Sequence, residues 1–418
     1  MSETTGNVRS WGSAGAISGP PHKTEPEDLN EGPRPENTGA SAPVVRWGSA
    51  GAISGPPHKT EPEDSNEGSR GTISGSSQLK IAIVKLSSLG DVIHALPVAR
   101  ALRRARPGIH LAWIVEAREY ALLRDHPDLD TVVPVDTRLW RRLIRRPSGV
   151  REVLGKVGRL RDRIRAARFD VALDLQGLIK SGLLTAYTGA PLRIGFSAGH
   201  CREGLNCLFT NRRVRPPAGA VHVVDQYLAL LRPLGVEPGP VEFHVPVPAR
   251  AQRRMDDFLG EQGVKSRDLL VAVNPGAGRA NKRWPVEHFR RLADRLAHEP
   301  NVRVLLLWGP DEVHMARQIL EGSSTRPLLA PPTDLHELAA LLRRSALMVA
   351  NDTGPLHLAA ALGTPSLGLF GPTRAERNGP YGPHGRGLQS PDGTMAALAL
   401  EAAADAALAL LAHRGIER

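Results

Sequence analysis

The chain of 418 residues holds only two cysteines, few aromatics and no long apolar run. Cys201 and Cys207 cannot build a disulfide framework, and no Cys/His cluster has zinc-ligand spacing. The expectation is a reducing compartment, with neither a metal nor a resident cofactor. Aromatics at 4% are too sparse to stack a run of bases, which argues against a nucleic-acid partner. No uncharged apolar stretch reaches the ~18 residues that span a bilayer. Met1-Ser-Glu-Thr-Thr lacks both parts of a secretory signal, so the product is expected to stay in the cytosol. Two nucleotide signatures are also missing. The loop Ser87-Ser-Leu-Gly-Asp91 has one glycine where a dinucleotide fingerprint needs three, and no P-loop motif occurs. Both absences argue against an NAD enzyme and a P-loop ATPase.

What is present is uneven in charge. The formal net charge is +11, from 54 Lys+Arg and 43 Asp+Glu. Residues 1–79 carry six basic and ten acidic residues, a net of −4, which leaves the remainder with 48 and 33, a net of +15. The acidic leader contains a perfect repeat, Trp11 to Asp28 recurring as Trp47 to Asp64. Rich in Gly, Pro and Ser and without periodicity, residues 1–78 are expected to be a disordered leader. Within the basic body, Arg138 to Arg168 holds twelve Arg/Lys against Glu152 and Asp162. That excess favours phosphate-bearing partners, and with Trp140 its only aromatic, an anionic membrane surface fits better than nucleic acid.

From Leu79 onward, strands and helices alternate. Leu79–Leu86 reads as a strand, Val92–Arg106 as a helix stopped by Pro107-Gly108, and Ile109–Val115 and Thr131–Val135 as strands around a helix Ala117–Arg124. Phe169–Asp174 is a fourth strand, leading into a helix Leu178–Tyr187. Residues 214–268 read as a junction, with a helix near Arg250–Leu259. The alternation then restarts, with strands at Leu269–Val273, Val302–Leu307, Leu347–Ala350 and Ser366–Phe370. Helices are expected at Val286–His298, Asp311–Leu320, Leu335–Arg344 and Gly354–Leu362. The fold class is therefore α/β: two Rossmann-like, doubly wound parallel sheets with a ligand cleft between them. The boundaries expected are 79–245 and 246–394, followed by a packed C-terminal helix in 395–418.

Three motifs stand where a strand gives way to a helix. Asp91 follows the first strand; an Asp there either caps the helix or does chemistry, and spacing alone leaves both open. Asn351-Asp-Thr-Gly-Pro-Leu-His357 opens a helix whose N–H groups at Thr353 and Gly354 form an anion site. Equally, Asp352 could be a cap and His357 a core residue. The loop Asn274-Pro-Gly-Ala-Gly-Arg-Ala-Asn-Lys-Arg-Trp-Pro285 could cradle a diphosphate with Lys282 as its cation, or be a solvated basic loop. Asp128-Leu-Asp130 matches a metal-binding pattern of some sugar transferases but reads as a turn.

Taken together, these segments resemble glycosyltransferase family 9, the lipopolysaccharide heptosyltransferases. The resemblance runs in unbroken order over about residues 79 to 413: Lys80 to Pro97, Asp174 to Ser181, Arg193-Ile-Gly-Phe196, Lys282-Arg-Trp-Pro285, Asn351 to His357, Phe370-Gly-Pro-Thr373 and Arg377 to Gly382. It implies a GT-B fold, with an acceptor-binding first half and an ADP-sugar-binding second half. It also implies inverting, metal-independent transfer of heptose from ADP-heptose to the Kdo of Kdo-lipid A, at the cytosolic face of the inner membrane. Asp91 matches the family's proposed base. Lys282, Glu312, Asp352, Thr353, Gly354 and His357 match donor-binding positions, and Ser87, Ser88 and Gly90 fall in the acceptor loop. The double serine leans towards the type I enzymes; the alternatives are heptosyltransferase II or a related family 9 sugar transferase. Outside the class, a basic nucleotide- or membrane-binding protein without catalysis would share the charge but has no need of Asp91. One departure is Ala277 and Gly278, where some relatives carry hydroxyl residues, so that backbone groups would have to replace those donor contacts.

Overall fold

The computed structural model describes residues 78–146, 149–309 and 311–416. The repeated leader, apart from Gln78, therefore lies outside the described residues. In the first half, strands β1 (Lys80–Val84), β2 (His110–Glu116), β3 (Thr131–Val135), β4 (Val171–Asp174), β5 (Leu192–Phe196) and β6 (Arg212–Val214) form one sheet. Helices α1 (Leu89–Ala105), α2 (Tyr120–Leu123), α3 (Thr137–Ile144), α4 (Gly149–Ala166), α5 (Ile179–Tyr187) and α6 (Val223–Ala229) are interleaved with them or follow. In the second half, β7 (Leu269–Asn274), β8 (Val302–Leu306), β9 (Leu328–Leu329), β10 (Leu347–Asn351), β11 (Ser366–Phe370) and β12 (Gly385–Gln389) form the other sheet. Its helices are α7 (Ala249–Glu261), α8 (Val286–Ala297), α9 (Val313–Gly322), α10 (Leu335–Arg344), α11 (Gly354–Ala361), α12 (Ala375–Asn378) and α13 (Leu400–Ile416).

Every strand pairing is parallel. The first sheet runs β3-β2-β1-β4-β5-β6 and the second β12-β11-β10-β7-β8-β9, the same winding order seen from opposite edges. Parallel sheets carry helices on both faces, so their central strands must be apolar throughout. β4, β10 and β11 are accordingly buried at every position. The order reverses between β1 and β4 in one sheet and between β7 and β10 in the other. Crevices at those switch points, at the carboxyl ends of the strands, are where such sheets bind ligands. These two doubly wound halves are the GT-B architecture the sequence implied.

Several elements differ from their sequence reading. The basic stretch 138–168 is largely two helices, α3 and α4, whose solvated face carries the arginines while Val153 and Ile164 turn inward. The helix expected at Ala117–Arg124 shrinks to the single turn α2. The stretch read as a junction holds the end of β6 and α6, because short segments between prolines lack enough periods to register. β5, β6, β9 and β12 were not legible, being edge-side strands of two to five residues: β5, β6 and β12 are interrupted by Arg or Gly, and β9 is only two leucines long. The Ala/Leu tail folds back as α13, burying Ala403, Ala404, Ala407 and Leu411 in the core of the second sheet.

Candidate active site

The site is assembled from loops that leave β1, β4, β7 and β10, the four strands flanking the two switch points. β1 is followed directly by Lys85-Leu86, and α1 begins at Leu89, so Asp91 lies in the first turn of that helix. One Asp91 oxygen, Oδ2, accepts from the backbone N–H of Ser88 and from its hydroxyl, each at 3.1 Å. This is the capping role. The other oxygen, Oδ1, accepts from Arg202 Nη2 at 2.7 Å and from the Tyr227 hydroxyl at 3.3 Å, and lies 3.6 Å from Lys85 Nζ. Asp91 is therefore both a cap and the centre of a charged cluster.

Lys85 is fully buried, which a lone ammonium would not tolerate. It is satisfied by the Tyr227 hydroxyl at 2.6 Å, the Leu175 carbonyl at 3.2 Å, the Tyr227 ring 4.5 Å from its centroid, and the Asp91 carboxylate. Burial lowers the Lys85 pKa to about 8, with Asp91 opposing the drop. Burial would raise the Asp91 pKa, but Lys85 and Arg202 outweigh it and hold the carboxyl well below its ordinary range. The loop after β4 supports this arrangement. Gln176 Oε1 accepts from the N–H groups of Leu86 and Ser87, and is itself placed by Asp174, which accepts from the Gln176 and Gly177 N–H groups.

The second half supplies the other wall. Asn351, buried at the end of β10, accepts from the Trp284 N–H at 3.0 Å and donates to the carbonyls of Pro275 and Gly276. It thereby staples the 274–285 loop beside α11. Trp284 is itself buried, donates its indole N–H to Leu398 and packs edge-on against Phe289. Lys282 is thus held over Asp352, with Nζ 2.7 Å from Oδ2. Asp352 also accepts from the Thr373 hydroxyl at 2.8 Å and faces His357 Nε2 at 3.1 Å. Burial raises the Asp352 pKa, yet His357 and Lys282 together drive it well below its ordinary range. Thr353 stands at the N-cap position of α11 but makes no side-chain bond there, and with Gly354 and a first-turn proline following, the helix's leading N–H groups have no partner one turn earlier.

The two walls meet. A side chain at Gly354 would strike Leu89, and one at Gly90 would strike the ring of His357. Both glycines are therefore close-approach positions, at which the N-termini of α1 and α11 abut. His357 is buried against Gly90 and His94 and orients Asp352. Glu312, before α9, reaches Gly276, where a side chain would collide with its carboxylate, and lies 3.7 Å from Arg283 Nη2. Ser87 and Ser88 line the approach to Asp91, with Ser88 exposed. Gly278 faces open space, and the Ala277 carbonyl accepts from Arg283.

Sequence reasoning brought out Asp91, Lys282, Asp352 and His357 but not Lys85, Arg202, Tyr227 or Thr373. Only Lys85 left a local signal, a cation following the apolar run Ile81–Val84. Asp128 faces Arg100 and His244, and Asp130 accepts from Leu111 and Arg103, so both carboxylates of the Asp-x-Asp pair have protein partners. Among the described residues no group of three or more His, Cys, Asp or Glu is placed to hold a metal ion. Nor is any described helix long and apolar enough to cross a membrane.

Comparison with known proteins bears on the family and the fold. The model of glycosyltransferase family 9 (heptosyltransferase) matches residues 157–405. Lipopolysaccharide heptosyltransferase 1 of Pseudomonas aeruginosa is 33% identical over 314 residues, covering 73% of this chain and 82% of the relative. The solved structure of the E. coli heptosyltransferase WaaC with ADP aligns with a TM-score of 0.64 at 29% identity, over 78% of this chain and 97% of that one. The same enzyme with ADP-2-deoxy-2-fluoro heptose aligns with a TM-score of 0.64 at 28% identity, over 81% of this chain and all of that one (100%). The chain belongs to glycosyltransferase family 9, the heptosyltransferases.

Proposed function

We propose that the protein transfers L-glycero-D-manno-heptose from ADP-heptose to the Kdo of Kdo-lipid A, with inversion at the anomeric carbon. The observation that carries this reading is the abutment of two helix N-termini, one bearing Asp91 and the other Asp352 beside Lys282. Helix N-termini favour negative charge, so both the carboxylate and a donor diphosphate are served by this arrangement. The diphosphate would sit at the first turn of α11, taking Lys282 from its resting partner Asp352, while Glu312 addresses the ribose.

In the reaction the acceptor hydroxyl oxygen attacks the anomeric carbon as the bond to the diphosphate breaks. Asp91 takes the hydroxyl proton, and Lys282 with the α11 N–H groups offsets the charge gathering on departing ADP. A positioned base contributes ~10²–10⁴-fold, roughly 3–5 kcal/mol. Both Asp91 oxygens have partners in the resting state. Of these, Arg202 and Ser88 are the solvent-facing ones and yield to the acceptor, whereas Lys85 and Tyr227 stay fixed beneath. The acceptor is lipid-linked, and the helices α3 and α4 fit a peripheral membrane contact. They carry most of the 138–168 arginines together with Ile144, Val150 and Leu154, each at least half exposed.

The test is mass analysis of the product formed from ADP-heptose with Kdo-lipid A, run beside an acceptor that already carries heptose. Gain of one heptosyl unit on Kdo-lipid A alone is expected. Gain only on the heptosylated acceptor would assign the chain to the type II reaction, and gain on neither would refute heptosyl transfer.

A further inference from the structure

A cavity of about 550 Å³ opens beside this site, between the segment Arg215–Val221, the start of α6 and the loop after β11. Its size is that of a small-ligand pocket, but its lining is cationic. Arg215 comes from the first half, Arg374 and Arg377 come from the second, and His200 and Gln226 complete the polar wall. No carboxylate is among the lining residues. Arg374 has an exposed partner outside the lining, Glu376 at 3.3 Å, and Arg377 spends Nη1 on the Asn378 side chain at 2.7 Å. All three arginines line the same cavity. Three like charges brought together repel one another, and guanidinium forks match carboxylate and phosphate oxygens in pairs.

The cavity adjoins the base. His200 lies two residues before Arg202, which bonds Asp91, and Gln226 directly precedes Tyr227, whose hydroxyl bonds the same carboxylate oxygen. The segment around α12, which carries Arg374 and Arg377, is tied to the start of α6, where the Tyr381 hydroxyl donates to Asp225 at 2.8 Å and His222 Nε2 meets the Gly379 carbonyl at 3.0 Å. The residues that touch Asp91 and those that line the cavity are thus chain neighbours, which places the cavity on the acceptor side of the base.

We propose that this cavity is a subsite for an anionic substituent of the glycosyl acceptor, a carboxylate or phosphate, gripped from both halves by Arg215, Arg374 and Arg377. The proposal rests on the transferase reading and adds which residues hold the acceptor's anionic group. It is tested by steady-state kinetics of Arg377→Ala and Arg215→Ala against Kdo-lipid A, its dephosphorylated form and its carboxylate methyl ester. With intact acceptor, each variant should raise the acceptor KM about tenfold or more while shifting the donor KM less than about twofold, and Arg377→Lys should recover part of the loss. The modified acceptor that lacks the gripped anion should be poor for the wild type and insensitive to Arg377→Ala, which distinguishes phosphate from carboxylate. An acceptor KM within about twofold of wild type in both variants would overturn the subsite. If the wild type transfers no heptose, the transferase reading fails separately. Calorimetric titration of Kdo-lipid A in detergent then decides the cavity: weaker binding to Arg377→Ala supports it, and equal or absent binding to both proteins overturns it.

Discussion

At the scale of single residues, Lys85 is the least expected part of the site. It contacts Asp91 from below, where no substrate would reach, and so acts as a positioning residue that sets the carboxylate's charge state. Lys85 and Arg202 hold the Asp91 pKa down, so removing one cation must raise it. Lys85→Met should therefore move the acid limb of the kcat/KM–pH profile upward, towards neutrality, while Lys85→Arg keeps it low. An acid limb unmoved in Lys85→Met would show that Asp91 does not owe its ionisation to this partner. Asp91 itself was legible because a carboxylate at a strand-to-helix junction is conspicuous, although its spacing could not separate capping from chemistry. The structure gives it both tasks. Arg202 and Tyr227 were not legible, since they lie 111 and 136 residues downstream of Asp91 and meet it only through the fold.

At the scale of elements, the decisive contact is α1 against α11. Three histidines line that region: His94 on α1 packs at a tilt against His357 of α11 with ring centroids 4.3 Å apart, and edge-on against His222 at 5.4 Å. His94 is buried, and its Nε2 has no hydrogen-bond partner among the described residues. Burial, then His357 and His222, push its pKa well below 6.5, with Asp91 opposing and Lys85 adding to the drop. The folded state thus prefers neutral His94, while the unfolded chain takes up a proton as pH falls through 6.5. The stability contributed by the neutral ring is complete above that value and lost below it. Between about pH 7.5 and about pH 5.5, the wild type should lose more thermal stability than His94→Leu. Equal losses, read as Tm by calorimetry, would contradict this assignment. His357 was legible as a donor-side candidate, but its contact with His94 was not, because periodicity reports which face of a helix is buried and not which helix covers it.

At the scale of the molecule, the alternation of strands and helices sufficed to read two parallel sheets, since long apolar strands bounded by turns are a strong local signal. The shared winding order was not readable, because it depends on which strands pair. That order is what brings the carboxyl ends of β1, β4, β7 and β10 to one place. The basic stretch 138–168 was visible as charge, yet only the structure shows it as α3 and α4 displaying arginines beside exposed Ile144 and Leu154. The account makes the protein a transferase whose first half contributes the base and whose second half contributes the donor site. The most direct test is single-turnover heptosyl transfer by Asp91→Asn, with ADP-heptose affinity measured on the same protein. The account predicts a fall of ~10²–10⁴-fold in the transfer rate with donor affinity unchanged; retention of more than about a tenth of the wild-type rate would contradict it.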